Sequence, residues 1–168
     1  FVSAAEPNVP ASGVQWIWDA ADESGSNEPR YFRRVFELAA KPEAAELFAT
    51  CDNSYVAYVN GIKLGGDDTW NSVEKYDLKP HLVIGKNVVA IEARNQGGPA
   101  GLLAWVNLTE NKKTTVIGTD ATWKFSLLSA KDWQQATLDD AAWKKPTILG
   151  PAGIGPWNIT GGGASGND

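Results

Sequence analysis

The chain has 168 residues, of which 43% are hydrophobic and 21% are charged, which is typical of one folded domain with a core. The net charge of −5 and the absence of a basic block argue against nucleic acid and against an anionic membrane surface as partners. No apolar run approaches about 18 residues, so the sequence predicts no span across a membrane.

Strand signals dominate the chain from residue 15 onward. In chain order, the short apolar or alternating segments are VQWIWD, RYFRRVFEL, AAELFATC, SYVAYVNGIKLGG, VEKYDL, GKNVVAIEARN, GLLAWVNLT, TTVIGTD and WKFSL. Asn60-Gly61 predicts a type I′ hairpin turn, because Asn and Gly enter positive φ at low cost. Many short strands separated by Gly and Pro turns predict an all-β fold, namely an antiparallel β-sandwich or jelly roll.

Two segments carry weak helical signals. KPEAAELF also fits a turn that leads into a strand. For TLDDAAWKKP we predict one helical turn, capped by Thr137 or Asp139. Residues 15–158 are therefore predicted to form the sandwich, with a linker at residues 1–14 and a flexible tail at residues 159–168.

Three residue types give further predictions. The one cysteine, Cys51, lies in an apolar strand pattern and is predicted to be a small buried residue. The one histidine, His81, is predicted to lie at the surface or in a turn. Five of the eight tryptophans are predicted to belong to the core or to cap its ends; these are Trp16, Trp18, Trp105, Trp123 and Trp143.

The succession of these segments resembles a known family. RYFRRVFEL, AELFATCDNSYVAYVNGIKLGG, YDLKPHLVIGKNVVAIEARNQGGPAGLLAWVNL, TDATWKFS and TLDDAAWKKPTILGPAGIGPW are similar to the galactose-binding-domain-like β-sandwich found beside glycoside hydrolase catalytic domains. The nearest patterns are the family 67 carbohydrate-binding modules of α-L-rhamnosidases and the sugar-binding domain of family 2 glycosidases. The resemblance covers about 85% of the chain and implies the same fold.

The resemblance also implies a calcium site. In the rhamnose-binding modules an Asp-Asn pair precedes the hairpin and helps to hold calcium, and Asp52-Asn53 stand at the matching place. Main-chain carbonyls of a Gly/Pro loop complete part of the shell, and Gly98 and Pro99 of NQGGPAG match that loop. Calcium prefers six to eight oxygen ligands in flexible geometry, so these residue types suit it. No third acidic ligand is evident near Asp52.

Sugar contacts are implied at the same place. The Asn53 amide would donate to a hydroxyl, and Asp67 and Asp68 would accept from hydroxyls or strengthen the cation site. Trp70 would stack on the apolar face of a pyranose, and Asn95, at the start of the Gly/Pro loop, would also contact the sugar. The implied ligand is a monosaccharide or glycan terminus, either L-rhamnose or a galactose-like sugar.

Other interpretations remain open at this point. Asp-Asn at a strand end is common turn chemistry, so the domain could instead be a structural sandwich that packs against a neighbouring catalytic or redox domain without binding a ligand. We expect no catalysis by this chain, because no carboxylate pair or Ser-His-Asp arrangement is placed by a motif. Since the chain starts at Phe1, we expect a processed product or a domain of a larger secreted, periplasmic or cell-surface protein.

Overall fold

The computed structural model describes residues 8–10, 12–20 and 27–159. Eleven β-strands lie in these ranges: β1 (Gln15–Trp18), β2 (Pro29–Leu38), β3 (Ala44–Asp52), β4 (Ser54–Val59), β5 (Ile62–Asp67), β6 (Glu74–Asp77), β7 (Gly85–Arg94), β8 (Gly101–Glu110), β9 (Lys113–Gly118), β10 (Lys124–Ser126) and β11 (Thr147–Pro151). In the same ranges the one helical element is a 3₁₀ turn, Lys79–His81. None of the described helical structure is long and apolar enough to cross a membrane.

The strands form two antiparallel sheets, so the predicted all-β sandwich is confirmed. The six-stranded sheet has the order β11-β1-β8-β3-β6, with β9 paired to β8, and the five-stranded sheet has the order β10-β2-β7-β4-β5. The main core lies between them, where alternate residues of each strand meet. Cys51 belongs to this core, which confirms that it is a small buried residue.

A second apolar layer covers the outer face of the six-stranded sheet. We call it the outer cluster; its buried members are Val14, Trp16, Leu103, Trp105, Ala152 and Trp157. Trp16 and Trp157 stack with ring centroids 4.2 Å apart, and Phe48 stacks on Trp105. Val14, at the end of the predicted linker 1–14, is therefore part of a packed layer, whereas residues 1–7, 11 and 160–168 of the predicted terminal segments lie outside the described residues.

A long segment covers the outer face of the five-stranded sheet. Residues 127–146, which we call the covering segment, run between β10 and β11. Its Trp133 packs edge-on against Tyr31 and Tyr58 of that sheet. The fully buried guanidinium of Arg33 donates to backbone carbonyls of the segment and pairs with Asp140 at 3.0 Å. The segment is thus fixed to the sheet by polar as well as apolar contacts.

The predicted helical turn in this segment is wrong. The chain forms successive turns there, and the Asp139 carboxylate accepts a hydrogen bond from the Ala141 backbone N–H at 3.0 Å. Asp139 therefore caps a turn but starts no helix. The Arg33 guanidinium donates hydrogen bonds to the Gln135 and Leu138 carbonyls. These carbonyls therefore point toward the sheet and not along a helix axis.

The hairpin turn between β4 and β5 is as predicted. Asn60 and Gly61 have φ values of 50° and 82°, the positive values that a type I′ turn requires. The Asn60 amide also donates to the His81 carbonyl and to the side chain of Asn87, which braces this end of the sandwich. His81 lies in the 3₁₀ turn beside it, consistent with the predicted turn position.

Candidate functional site

The candidate site lies at the end of the sandwich opposite the Asn60-Gly61 hairpin. Two connections cross there between the sheets: Asp52-Asn53, which joins β3 to β4, and the loop 95–100, which joins β7 to β8. The loop 68–73 between β5 and β6 lies beside them. We call this the site end. Since β3 and β8 are neighbours and Asp52 pairs with Gly101, the two crossovers are adjacent.

Asp52 is placed by strand alternation. Ala49 and Cys51 face the core, so Asp52 points to the outer face of the six-stranded sheet, where only 7% of the residue is exposed. Its Oδ2 accepts a hydrogen bond of 2.9 Å from the indole N–H of Trp157. The peptide bond between Asp52 and Asn53 is cis.

The electrostatics of Asp52 are unusual for a carboxyl group. Burial raises its pKa, and the hydrogen bond from Trp157 opposes this rise by stabilising the anion. Within the described ranges no Lys or Arg forms an ion pair with it. A buried carboxylate without a cationic partner is costly, so the site favours either a proton or a bound cation.

Asn53 connects the two crossovers. Its backbone N–H donates to the Arg94 carbonyl at 2.9 Å, and its Oδ1 accepts from the Gln96 backbone N–H. No described residue accepts from the Asn53 amide nitrogen, which leaves that donor for a ligand. The structure therefore brings Asp52, Asn53 and the loop 95–100 together.

Asn95 shapes that loop from inside. It is fully buried, its Oδ1 accepts from the Gly97 N–H at 3.1 Å, and its Nδ2 donates to the Gly98 carbonyl at 3.2 Å. Gly98 and Pro99 are exposed at the loop tip, and φ at Gly98 is 69°. Asn95 thus lies beneath the surface that a sugar would touch, whereas the Gly98 and Pro99 backbone lies on it.

Trp70 lies on the same outer face as Asp52. The Thr50 hydroxyl, two residues before Asp52 on β3, donates to the Trp70 carbonyl at 2.7 Å. The Trp70 side chain is half-buried and packs against the outer cluster. The hydrogen bond from Thr50 therefore holds Trp70 near Asp52 on β3. Part of the Trp70 ring packs against the outer cluster, and the rest is exposed.

Two hollows flank the site end. The polar hollow, about 510 Å³, contains Asp67 and Asp68 with Lys63, Glu92 and Arg94. The Arg94 guanidinium pairs with the Glu92 carboxylate at 3.0 Å. Ser54, the residue after Asn53, also lines this hollow, whereas Asp52, Asn53 and the loop 95–100 do not.

The apolar hollow, about 530 Å³, lies on the other side. Gly98, Pro99 and Ala100 form one wall, and Trp157 forms part of another. Trp18 and Leu149 line it further in. No local pattern predicts this hollow or the contact between Trp157 and Asp52, because the two partners are 105 positions apart in the chain.

The donor set suits a hard cation only in part. Across the described residues no group of three or more His, Cys, Asp or Glu side chains is placed to hold a metal ion. Asp52 supplies one carboxylate, and neutral oxygens come from Asn53 and from the Gly98 and Pro99 carbonyls. Calcium accepts such mixed oxygen ligands and tolerates water or ligand hydroxyls in the remaining positions, so these residues fit calcium better than zinc.

The chain is similar in sequence to a known protein over most of its length. No protein-family model matches the chain. The chain is 30% identical over 171 residues to an α-L-rhamnosidase of Streptomyces avermitilis, an alignment that covers 94% of this chain and 17% of that protein. The chain therefore spans about a sixth of the curated relative that it matches.

Solved structures give the same result. The Streptomyces avermitilis α-L-rhamnosidase complexed with L-rhamnose matches with a TM-score of 0.81 and 27% identity, over 95% of this chain and 17% of that one. A lectin from Pleurotus ostreatus in complex with GalNAc matches with a TM-score of 0.81 and 28% identity, over 93% of this chain and 48% of that one. A GH78-family rhamnosidase from a Bacillus species matches with a TM-score of 0.77 and 27% identity, over 90% of this chain and 20% of that one.

The chain is thus an antiparallel β-sandwich, and the predicted resemblance to α-L-rhamnosidases is confirmed. In particular, it is similar to a small sandwich segment of α-L-rhamnosidases and to about half of a lectin.

Proposed function

We propose that the chain is a non-catalytic carbohydrate-binding module that recognises a monosaccharide or a glycan terminus at the site end. The observation that carries this proposal is the hydrogen bond from the Gln96 N–H to Asn53 Oδ1, because it joins the Asp52-Asn53 crossover to the Gly98-Pro99 loop. The similarity to a rhamnosidase solved with L-rhamnose and to a lectin solved with GalNAc supports L-rhamnose or a galactose-like sugar as the ligand.

The proposal includes a calcium ion. Asp52 and Asn53 would hold it together with the main-chain carbonyls of Gly98 and Pro99. Two neighbouring hydroxyls of the sugar would chelate the ion in place of two waters. The unpaired, buried Asp52 carboxylate supports this role, because a cation would compensate the charge that burial otherwise disfavours.

The remaining contacts follow from the positions of the predicted residues. The Asn53 amide donates to a sugar hydroxyl, while Asp67 and Asp68 accept from hydroxyls that reach into the polar hollow. Trp70 offers the exposed part of its ring, and Asn95 holds the loop in shape. The parent would be a larger polysaccharide-active protein, secreted, periplasmic or at the cell surface.

A glycan-array screen of the purified chain, with calcium and with a chelator, tests the proposal. We expect binding to a defined terminal sugar that disappears with the chelator. Binding that survives the chelator would keep the sugar site and remove the calcium. The absence of binding in both arms would overturn the proposed function.

One observation favours a second candidate, a structural sandwich that packs on a neighbouring domain. At the end opposite the site, Ile62, Val83 and Ile84 are 46%, 51% and 66% exposed. Exposed aliphatic side chains that lie close together often mark an interface. Limited proteolysis of the parent protein would test this candidate: a firmly docked domain resists release, whereas a tethered binding module is cut free.

A further inference from the structure

The apolar hollow is continuous with the proposed sugar site. Gly98 and Pro99 belong both to the loop that faces the sugar and to the wall of the hollow. Trp157 lines the hollow and donates its indole N–H to the Asp52 carboxylate. A group attached to a sugar held at Asp52 and Asn53 would therefore reach the hollow without leaving the protein surface.

The lining of the hollow indicates the chemistry of that group. Most of the wall is apolar, and its large side chains are Trp18, Leu149, Ile154 and Trp157. A hollow of about 530 Å³ falls within the roughly 300–1,000 Å³ range of small-molecule sites, which are mostly apolar with a few polar groups. Such a wall suits a flat apolar group better than a second ring covered with hydroxyls.

The charge of the hollow indicates a neutral occupant. Among the described residues that line the hollow, the one acidic side chain is Asp19, which forms an ion pair with Arg30 at 3.1 Å, and both side chains are largely buried. The carboxylate is therefore compensated within the protein and does not call for a cationic ligand. Thr147, which is exposed at the rim, adds a neutral hydroxyl.

We propose that the apolar hollow binds the aglycone of a glycoside, specifically a neutral aromatic or flat apolar group linked to the recognised sugar. This inference rests on the proposed function, because the sugar at the site end delivers the aglycone. It makes the module selective for small aryl or apolar glycosides over the same sugar within a hydrophilic glycan.

Calorimetric titration with paired glycosides tests the inference. The probes are methyl and p-nitrophenyl α-L-rhamnoside, and methyl and p-nitrophenyl N-acetyl-galactosaminide, each with saturating calcium. For the sugar that binds, we expect the aryl glycoside to bind about tenfold more tightly than the methyl glycoside, which equals about 1.4 kcal/mol. Thr147→Trp, which places a large ring at the rim, should remove this advantage and leave the methyl glycoside unchanged.

Two further variants complete the design. Ala20→Trp blocks the hollow from another exposed rim position and should act like Thr147→Trp, so one misfolded variant does not decide the outcome. Thr115→Trp, an exposed threonine of β9 toward the opposite end, is the matched control and should keep the advantage.

Failure of the aglycone proposal and failure of the proposed function give different results in this experiment. Equal affinity for aryl and methyl glycosides, or an aryl advantage that survives in both blocked variants, overturns the aglycone proposal and leaves the sugar site intact. A larger gain for a disaccharide than for the aryl glycoside also overturns it. No binding of either glycoside overturns the proposed function itself, and the aglycone proposal with it.

Discussion

Asp52 is the residue on which the proposed function depends most. It is buried, it accepts from Trp157, and it has no described cationic partner. Turn chemistry alone would not require a carboxylate at this depth, since an exposed Asx side chain serves a turn equally well. The position of Asp52 therefore favours a ligand over a purely structural role.

The substitution Asp52→Asn tests this directly. It keeps the shape and an oxygen for the Trp157 N–H but removes the negative charge that calcium needs. We expect at least a hundredfold loss of calcium-dependent sugar affinity, roughly 2.7 kcal/mol, measured by calorimetry with and without chelator. As a control, Glu37→Gln removes an exposed charge on β2 and should leave the affinity unchanged. Retained calcium-dependent affinity in Asp52→Asn would exclude the calcium site.

At the scale of strands, the Tyr55 hydroxyl joins the two sheets through two hydrogen bonds near the site end. The Tyr55 hydroxyl on β4 donates to the Ala49 carbonyl at 3.3 Å and lies 2.9 Å from the Tyr76 hydroxyl on β6. Burial raises the pKa of both tyrosines. The folded protein therefore holds these two protons more tightly than the unfolded chain does.

This pair predicts a pH dependence of stability. Because the folded pKa values lie above the unfolded value of about 10, the pair stabilises the fold fully below that pH, and the contribution is lost as the pH rises above it. Tyr76→Phe should cost about 1 kcal/mol at neutral pH and weaken the alkaline loss of stability. Urea unfolding at neutral and alkaline pH measures both; Tyr31→Phe, a half-buried control, should retain the alkaline loss.

The covering segment depends on a single arginine. The Arg33 side chain donates to carbonyls of Gln135 and Leu138 as well as to Asp140, and it lies over the Trp143 ring at 5.7 Å. Removal of the guanidinium would take the arginine donor away from several backbone carbonyls and would leave the Asp140 carboxylate with Lys124 as its remaining ion-pair partner at 3.3 Å. Arginine is required here because only its planar group reaches so many acceptors at once.

We expect Arg33→Met to lower the free energy of unfolding by about 3–5 kcal/mol, because the carbonyls of Gln135 and Leu138 lose their donor and Asp140 loses one of its two cationic partners. Arg34→Met, at the next position of β2, removes contacts to Thr122 and to a neighbouring carbonyl and should cost less than about 1 kcal/mol. Urea denaturation compares the two; equal costs would show that the segment is held by its apolar contacts.

The sequence predicted ten of the eleven described strands, missed β11 (Thr147–Pro151), which has no clear alternation, and predicted the site only in part. Period-two alternation and the Asn60-Gly61 turn predicted the strands, because these signals are local. The capped helical turn near Thr137 was wrong, since Arg33, a residue distant in sequence, binds the carbonyls there. The contact between Asp52 and Trp157 and both hollows depend on long-range packing, which no local pattern encodes.

At the scale of the whole molecule, the chain matches only a small part of the length of the rhamnosidases to which it is similar. Glycoside hydrolysis needs two carboxyl groups held across the scissile bond. The acidic residues proposed at the site end are instead assigned to calcium and to sugar hydroxyls. We therefore expect the isolated chain to bind, and not to cleave, its sugar.

Incubation of the chain with p-nitrophenyl α-L-rhamnoside tests this expectation through the rate of nitrophenol release. At high protein concentration and with calcium, we expect nitrophenol release no faster than in buffer. A rate that follows protein concentration and falls in Asp67→Asn or Asp68→Asn would contradict the non-catalytic assignment. The same rate in those variants and in the unmutated chain would point instead to a contaminating hydrolase.

The packed layers on the two outer faces of the sandwich limit the kind of carbohydrate surface that the domain can bind. The rings of Trp16, Trp105 and Trp157 are buried in the outer cluster, and Trp133 is covered within the segment over the other sheet. Among the described residues these tryptophans cannot form a planar platform for crystalline fibres such as cellulose. We expect the domain to bind single sugar residues that project into solvent, on a small glycoside or at a chain terminus, and not to bind ordered, insoluble surfaces.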